Sequence, residues 1–141
     1  MSECVLTKLK LIEGYKFKVE FDEENVPDLV VDEMKPIGES LGPNPTRLLT
    51  TAVGHCLSSS LLYCLDRAKV KVEKLETIVK ANIKRNKEGY HRIEGLDVQI
   101  HFEVSKEDEK RVSRCLSIFE NYCTVTQSVR RGIQVKVNIN N

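Results

Sequence analysis

One long, largely apolar segment, residues 44–68, constrains the fold of this chain more than any other feature. Asn44 is a good helix N-cap, and Pro45 suits the first helical position because its missing amide hydrogen would have no partner there. At about 100° per residue, the small and apolar side chains that follow cover more than half of the helix circumference. The sequence therefore predicts a helix over 44–68 that other elements must cover on most sides.

Short segments of alternating apolar and polar residues precede this helix. Residues 4–12 and 15–21 alternate on either side of a Glu-Gly pair, a pattern typical of a β-hairpin. Residues 28–33 supply a third short strand, so we expect a three-stranded antiparallel meander. Residues 35–45 hold three of the four prolines and two of the seven glycines, which predicts an irregular loop leading into the helix.

The second half of the chain repeats the alternation of apolar and polar residues and then changes period. Residues 72–83 and 93–104 predict a second hairpin. From Ser105, an N-cap candidate followed by three acidic residues, apolar side chains recur at helical spacing up to Cys123. A second amphipathic helix is therefore expected, with a break or bend near Cys123.

The C-terminal segment predicts one more strand. Beyond Cys123 one or two further helical turns are expected, and Gly132 suits a helix C-terminus. Residues 133–139 alternate again and predict a closing strand. The order βββ-α-ββ-α-β, connected mainly by hairpins, is typical of an α+β fold and not of a doubly wound sheet.

Length, charge and composition limit the classes of function. A chain of 141 residues fits a single domain, residues 1–141. With 22 Lys and Arg against 21 Asp and Glu, the net charge of +1 gives no field that would favour nucleic acid or a membrane surface. The N-terminus does not resemble a signal peptide, and we expect no apolar run as long as the roughly 18 residues of a membrane span. A cytoplasmic protein is expected.

Five cysteines carry most of the chemical information. In a reducing compartment, they are expected to be free, catalytic or metal-binding. Cys56 and Cys64 cannot pair if they share one helix, because their separation along its axis is about 12 Å. The same holds for Cys115 and Cys123 in a continuous second helix. Any disulfide must therefore join residues that are far apart in sequence.

The contexts of these cysteines differ. Cys4, Cys64 and Cys115 are interpreted as packing or surface thiols. Cys56 lies among small residues in the middle of the buried helix, and Cys123 lies at a helix break. The sequence contains no CxxC pair and no paired histidines, so no metal site is predicted.

Two segments around these cysteines resemble the OsmC/Ohr family of thiol-dependent peroxidases. The first is GESLGPNPTRLLTTAVGHCLSSSLL, and the second is NYCTVTQSVRRGIQVKV. The resemblance implies the α+β OsmC-like fold, an intertwined homodimer, a peroxidatic thiol at Cys56 and a resolving thiol at Cys123. It also implies a cycle in which an organic hydroperoxide oxidises Cys56, Cys123 forms a disulfide with it, and an external dithiol reduces that disulfide without any metal or cofactor.

The chain departs from the family at the groups that would activate the thiol. Hydroperoxide-active members resemble one another in an arginine from the N-terminal sheet and a glutamate after the loop proline, whereas residues 1–46 here contain no arginine. A lowered pKa at Cys56 requires a positive neighbour, and Cys56 is about 18 Å from the start of its own helix, too far for that helix dipole. Arg47 is the candidate that could stabilise the thiolate, and Glu39 is the candidate loop acid.

Two other functions remain open at this point. In one, the dimer binds a hydrophobic ligand in an interfacial cleft and has weak or no peroxidase activity. In the other, Cys56 and Cys123 form a bridge that only stabilises the fold.

Overall fold

The computed structural model describes residues 2–140, which form two compact units that meet in sequence at Leu49 and Thr50. The first unit begins with the antiparallel meander β1 (Thr7–Glu13), β2 (Lys16–Phe21) and β3 (Leu29–Val31), in that spatial order. Gly14 adopts a φ of 53° at the β1–β2 turn, a left-handed conformation that glycine adopts easily. The predicted hairpin and third strand are confirmed.

A buried carboxylate organises the loop that follows β3. Asp32 is 3% exposed and accepts amide hydrogen bonds from Glu33, Glu39 and Leu41 at 2.8, 3.1 and 3.2 Å. These bonds satisfy the buried charge and hold an irregular segment in one conformation. The predicted irregular loop before the helix is confirmed.

The long helix, α1 (Pro45–Arg67), begins where the sequence predicts. The Asn44 side chain accepts the Arg47 amide hydrogen at 3.0 Å, as expected of an N-cap. By length and composition alone α1 could cross a membrane, so the expectation that no apolar run approaches that length is wrong. Leu61 and Leu65, 1% and 0% exposed, identify it as a helix of the protein core.

The second unit contains most of α1 and a long antiparallel hairpin, β4 (Lys74–Arg85) and β5 (His91–Glu103), which confirms the second predicted hairpin. A close approach fixes the helix on β4. The hydroxyl groups of Ser58 and Thr77 form a hydrogen bond, with 2.5 Å between their oxygens. A Cβ added to Gly54 would lie 2.7 Å from the Val79 side chain, so only glycine fits there without movement.

The chain then returns along α1 in short helical pieces. A 3₁₀ turn (Lys106–Asp108) leads into α2 (Glu109–Ile118), a second 3₁₀ turn (Phe119–Tyr122) follows, and α3 (Thr124–Arg131) begins after Cys123. The predicted break at Cys123 is confirmed. Ser105 precedes the first of these turns, but its side chain makes no capping bond and instead donates to Glu107 at 3.2 Å.

The predicted closing strand at 133–139 is wrong for the chain as described. Gly132 ends α3 with a φ of 71°, as expected of a helix C-terminus. Beyond it the described residues form no strand, and Val135 and Ile139 are 79% and 90% exposed. A strand requires a neighbouring backbone, which the alternating sequence alone does not provide.

The Gly54–Val79 approach gives a stability prediction. Gly54→Val should lower the free energy of unfolding in urea by about 1–3 kcal/mol, because the added methyl groups overlap the β4 side chain. Gly95→Val is the matched control, since a Cβ at Gly95 meets nothing within 4 Å and valine suits a strand. Equal effects of the two substitutions would contradict this account of Gly54.

A paired-thiol candidate active site

Cys56 and Cys123, which are far apart in sequence, lie in hydrogen-bonding contact within the second unit. Cys56 comes from the middle of α1 and is half-buried, whereas Cys123 is 0% exposed. Both are free thiols. The fold thus brings together two free thiols from distant parts of the sequence.

Two hydroxyl groups accompany the thiols. The Cys123 thiol donates to Thr126 Oγ1 at 2.9 Å, and the Ser60 side chain also hydrogen-bonds Cys123. Ser60 and Thr126 are 7% and 6% exposed. Because a hydroxyl can also donate, both groups can stabilise a thiolate at Cys123.

The start of α3 faces both sulfurs. Cys123 occupies the N-cap position of this eight-residue helix. The amide hydrogen of Thr126 is directed at both thiols, and that of Val125 is directed at Cys56. Unpaired amides at a helix N-terminus favour negative charge, so α3 supplies positive potential that α1 cannot supply at this depth.

These contacts divide the charge unequally between the two sulfurs. Burial, and then the hydrogen bond with Cys123, raise the pKa of Cys56 above its ordinary value, and the amides of Val125 and Thr126 only partly oppose this. At Cys123 burial also raises the pKa, but hydrogen bonds from Cys56, Thr126 and Ser60 outweigh it and lower the pKa. This arrangement therefore does not give Cys56 the lowered pKa that a peroxidatic thiol requires, and the first negative charge resides mainly on Cys123.

Arg47 and Glu39 belong to the first unit. Arg47 is exposed in the first turn of α1, where its guanidinium donates to Asn44 Oδ1 at 3.2 Å. The carboxylate of Glu39 forms an ion pair with Lys16 at 3.2 Å, and its side chain is 63% exposed. Their roles toward Cys56 stay predictions.

Sequence reasoning missed Ser60, Thr126 and the amides at the start of α3. A usable signal was present, because Cys123 lies at a helix break and Thr126 follows three residues later, the spacing at which an N-cap meets the first turn. The proximity of Ser60 to Cys123 depends on tertiary packing and has no local signal.

A model of the OsmC-like protein family matches residues 38–138. No curated protein matches the chain. Among solved structures, an OsmC-like protein of unknown function from Vibrio cholerae has a TM-score of 0.72 at 15% identity, over 91% of this chain and 94% of its own. An OsmC-like protein from Mycoplasma pneumoniae has a TM-score of 0.71 at 19% identity, over 99% and 96%. An organic hydroperoxide resistance protein from Elizabethkingia anophelis has a TM-score of 0.58 at 18% identity, over 91% and 89%.

The hydroxyl at position 126 gives a titration prediction. Thr126→Val should raise the pKa of Cys123, because the variant lacks a hydrogen bond to a charged sulfur. The thiolate fraction at a given pH below the pKa therefore falls, which ultraviolet thiolate absorbance against pH measures in a Cys56→Ser background. Thr124→Val, an exposed change in the same helix turn, should leave the titration unchanged. Matching curves for the two valine variants would contradict the assigned contact.

Proposed function

Because the chain belongs to the OsmC-like family, we propose that it is a cysteine-dependent peroxidase that reduces organic hydroperoxides through Cys56 and Cys123. The observation that carries the proposal is the contact between these two sulfurs. The likeness in fold to a protein named for organic hydroperoxide resistance supports the substrate class.

The difference in exposure supports Cys56 as the attacking thiol. Cys56 is half-buried and can be reached by a peroxide, whereas Cys123 is 0% exposed. The hydrogen bond between the sulfurs lets Cys56 pass its proton to Cys123, so that Cys56 becomes the nucleophile. Its sulfur attacks the terminal oxygen of the hydroperoxide, the O–O bond breaks, and the alkoxide leaves and is protonated by the Cys123 thiol or by water. The products are an alcohol and a sulfenic acid on Cys56.

Cys123 completes the oxidation. Its thiolate attacks the Cys56 sulfur, forming the S–S bond while the S–O bond breaks, and the leaving hydroxide takes a proton from solvent to become water. Over both steps the two thiols lose two hydrogens, and the hydroperoxide becomes one alcohol and one water. The amides at the start of α3 stabilise the negative charge that passes between the sulfurs.

An external dithiol would return the enzyme to its reduced state by thiol–disulfide exchange. The proposed cycle needs no metal or other cofactor, because all of its electrons come from the two cysteines and then from the reductant. A cytoplasmic location, where such reductants maintain free thiols, is part of the proposal.

We also propose that the protein is a homodimer. Apolar side chains at both ends of the chain are more than half exposed, which is costly unless they are covered. At the N-terminal end these are Leu6, Leu9 and Leu11, and at the C-terminal end Ile133, Val135, Val137 and Ile139. A second copy would cover these residues and supply the backbone partner that 133–139 lacks among the described residues.

Hydroperoxide oxidation is the direct test of the proposed enzyme. Reduced protein treated with cumene hydroperoxide should lose two hydrogens in intact mass and two free thiols per chain, and peptide mapping should find Cys56 joined to Cys123. Cys56→Ser should abolish both losses, because it removes the attacking sulfur. Cys123→Ser should instead leave Cys56 as a sulfenic acid that a dimedone probe traps.

Cys4→Ser is the control for the loss of a thiol, since Cys4 is exposed and has no assigned role. Unchanged thiols in the wild-type protein would overturn the peroxidase proposal and leave binding of a hydrophobic ligand as the function to test. A Cys56–Cys123 disulfide that forms but resists dithiol reductants would instead support a purely structural bridge.

The dimer proposal has its own test. Light scattering after gel filtration should give twice the chain mass of 16.1 kDa. Val135→Asp should shift the protein toward monomer at micromolar concentration, because a charge would replace a buried apolar side chain in the interface. Gln134→Asp places the same charge on the polar side of the alternation and should leave the dimer intact. A monomeric wild-type protein would overturn the proposal.

A further inference from the structure

A second pair of thiols lies on the same two chain segments as the first. Cys64 of α1 and Cys115 of α2 are in hydrogen-bonding contact. Cys64 follows Cys56 by eight residues and Cys115 precedes Cys123 by eight, so the two pairs join the same antiparallel segments at positions about 12 Å apart. The sequence interpretation of Cys64 and Cys115 as separate packing thiols did not foresee this contact.

A surface cavity of about 520 Å³ opens onto this second pair. Cys64 and Cys115, 8% and 2% exposed, form part of its wall. The rest of its lining includes three arginines and two tyrosines, Arg67, Arg111, Arg114, Tyr63 and Tyr122. A small molecule that enters this cavity therefore meets a thiol pair directly.

The cavity is positively charged. Arg111 forms an ion pair with Asp108 and donates to the Ala68 carbonyl at 2.9 Å, so its charge is partly compensated. Arg67 lies over the ring of Tyr63, 6.0 Å from its centroid, a contact that leaves its N–H groups available. Arg114 acts electrostatically on Cys115. No carboxylate is among the described residues that line the cavity, so a ligand with carboxylate groups is favoured.

The two thiol pairs cannot exchange disulfides directly. A separation of about 12 Å along α1 is several times the length of an S–S bond, and exchange requires direct attack of one sulfur on another. An oxidant for the second pair must therefore arrive through the arginine-lined cavity. A sulfur compound with negative charges fits both the thiols and the arginines.

We propose that Cys64 and Cys115 are a second redox-active dithiol, oxidised to a disulfide by an anionic low-molecular-weight disulfide that binds in the arginine-lined cavity. The Cys64 thiolate attacks one sulfur of the ligand, the ligand S–S bond breaks, and one thiol is released after protonation. Cys115 then loses its proton to solvent and attacks the Cys64 sulfur, which releases the second ligand thiol. Two protein thiols lose two hydrogens, and one ligand disulfide becomes two thiols.

The environment of the pair fits this order of events. Burial and the contact with Cys64 raise the pKa of Cys115 to about 11, so this thiol is a poor first nucleophile and serves to close the disulfide. Cys64 is the more exposed of the two residues, which favours it as the first to meet the ligand.

A chain that carries Cys4→Ser, Cys56→Ser and Cys123→Ser isolates the second pair. When this reduced triple variant is treated with glutathione disulfide, it should lose two hydrogens per chain, and peptide mapping should find a Cys64–Cys115 bridge. Adding Cys115→Ser should stop the reaction at one glutathione on Cys64. Because this background lacks Cys56 and Cys123, its result is independent of the proposed peroxidase activity.

The role of the cavity is tested with charge variants and a neutral reagent. Arg67→Gln should slow oxidation by glutathione disulfide several-fold, since the anionic ligand loses part of its attraction, whereas Arg114 is kept because it also acts on the pKa of Cys115. The same variant should react with uncharged hydroxyethyl disulfide at an unchanged rate. Arg131→Gln, outside the cavity, should change neither rate.

Two outcomes would overturn the proposal. One is the absence of a Cys64–Cys115 bridge after glutathione disulfide treatment of both the isolated-pair chain and the wild-type protein, which covers the case of a misfolded variant. The other is a loss of rate in the Arg67→Gln variant that is no greater with the anionic reagent than with the neutral one, which would show that Arg67 does not attract the ligand.

Discussion

The contact between the Cys56 and Cys123 sulfurs is the interaction on which the organisation of the second unit depends. For it to form, a half-buried position in the middle of α1 must face the break in the returning helical segment at Cys123. The interruption brings the start of α3 to the sulfurs, together with amides that have no partner inside a helix. A continuous helix through Cys123 would direct those amides to carbonyl oxygens of its preceding turn, and the thiols would lose their positive neighbour.

This arrangement changes how the activation of Cys56 should be understood. From the sequence, Cys56 was too deep in its own helix for the helix dipole to act, and that argument holds because α1 begins three turns away. The conclusion that a side-chain cation must replace the dipole does not follow, since a different helix begins at the site. The resulting potential is shared by two sulfurs, and the hydroxyls of Ser60 and Thr126 shift the charge toward Cys123. In the proposed reaction, attack on a peroxide therefore requires proton transfer from Cys56 to Cys123 and does not require a permanently charged Cys56.

The sequence predicted the parts of the fold that depend on local patterns of residues. The N-cap at Asn44, the glycine turn at Gly14 and the break at Cys123 all depend on residues within one or two turns of the feature. The failures involve groups distant in sequence. Residues 133–139 alternate as a strand does, but pairing requires a backbone that the described chain does not place beside them. The Cys64–Cys115 contact could not be predicted either, because each cysteine taken by itself resembles a small apolar residue on the apolar face of a helix. The family resemblance located both cysteines of the candidate site but not the groups that set their pKa values.

In both thiol pairs the two sulfurs have different proposed roles, and the difference follows from the geometry of the segments. In each pair α1 supplies the more exposed cysteine, Cys56 or Cys64, and the returning segment supplies the more deeply buried one, Cys123 or Cys115. In both proposed reactions the sulfur on α1 therefore meets the external reagent and the other sulfur closes the disulfide. The pairs differ in what surrounds the second sulfur. At Cys123 the amides and hydroxyls lower the pKa, whereas at Cys115 burial dominates and only Arg114 opposes it. Closure is thus expected to be faster at the first pair, since its second sulfur is more often a thiolate at neutral pH.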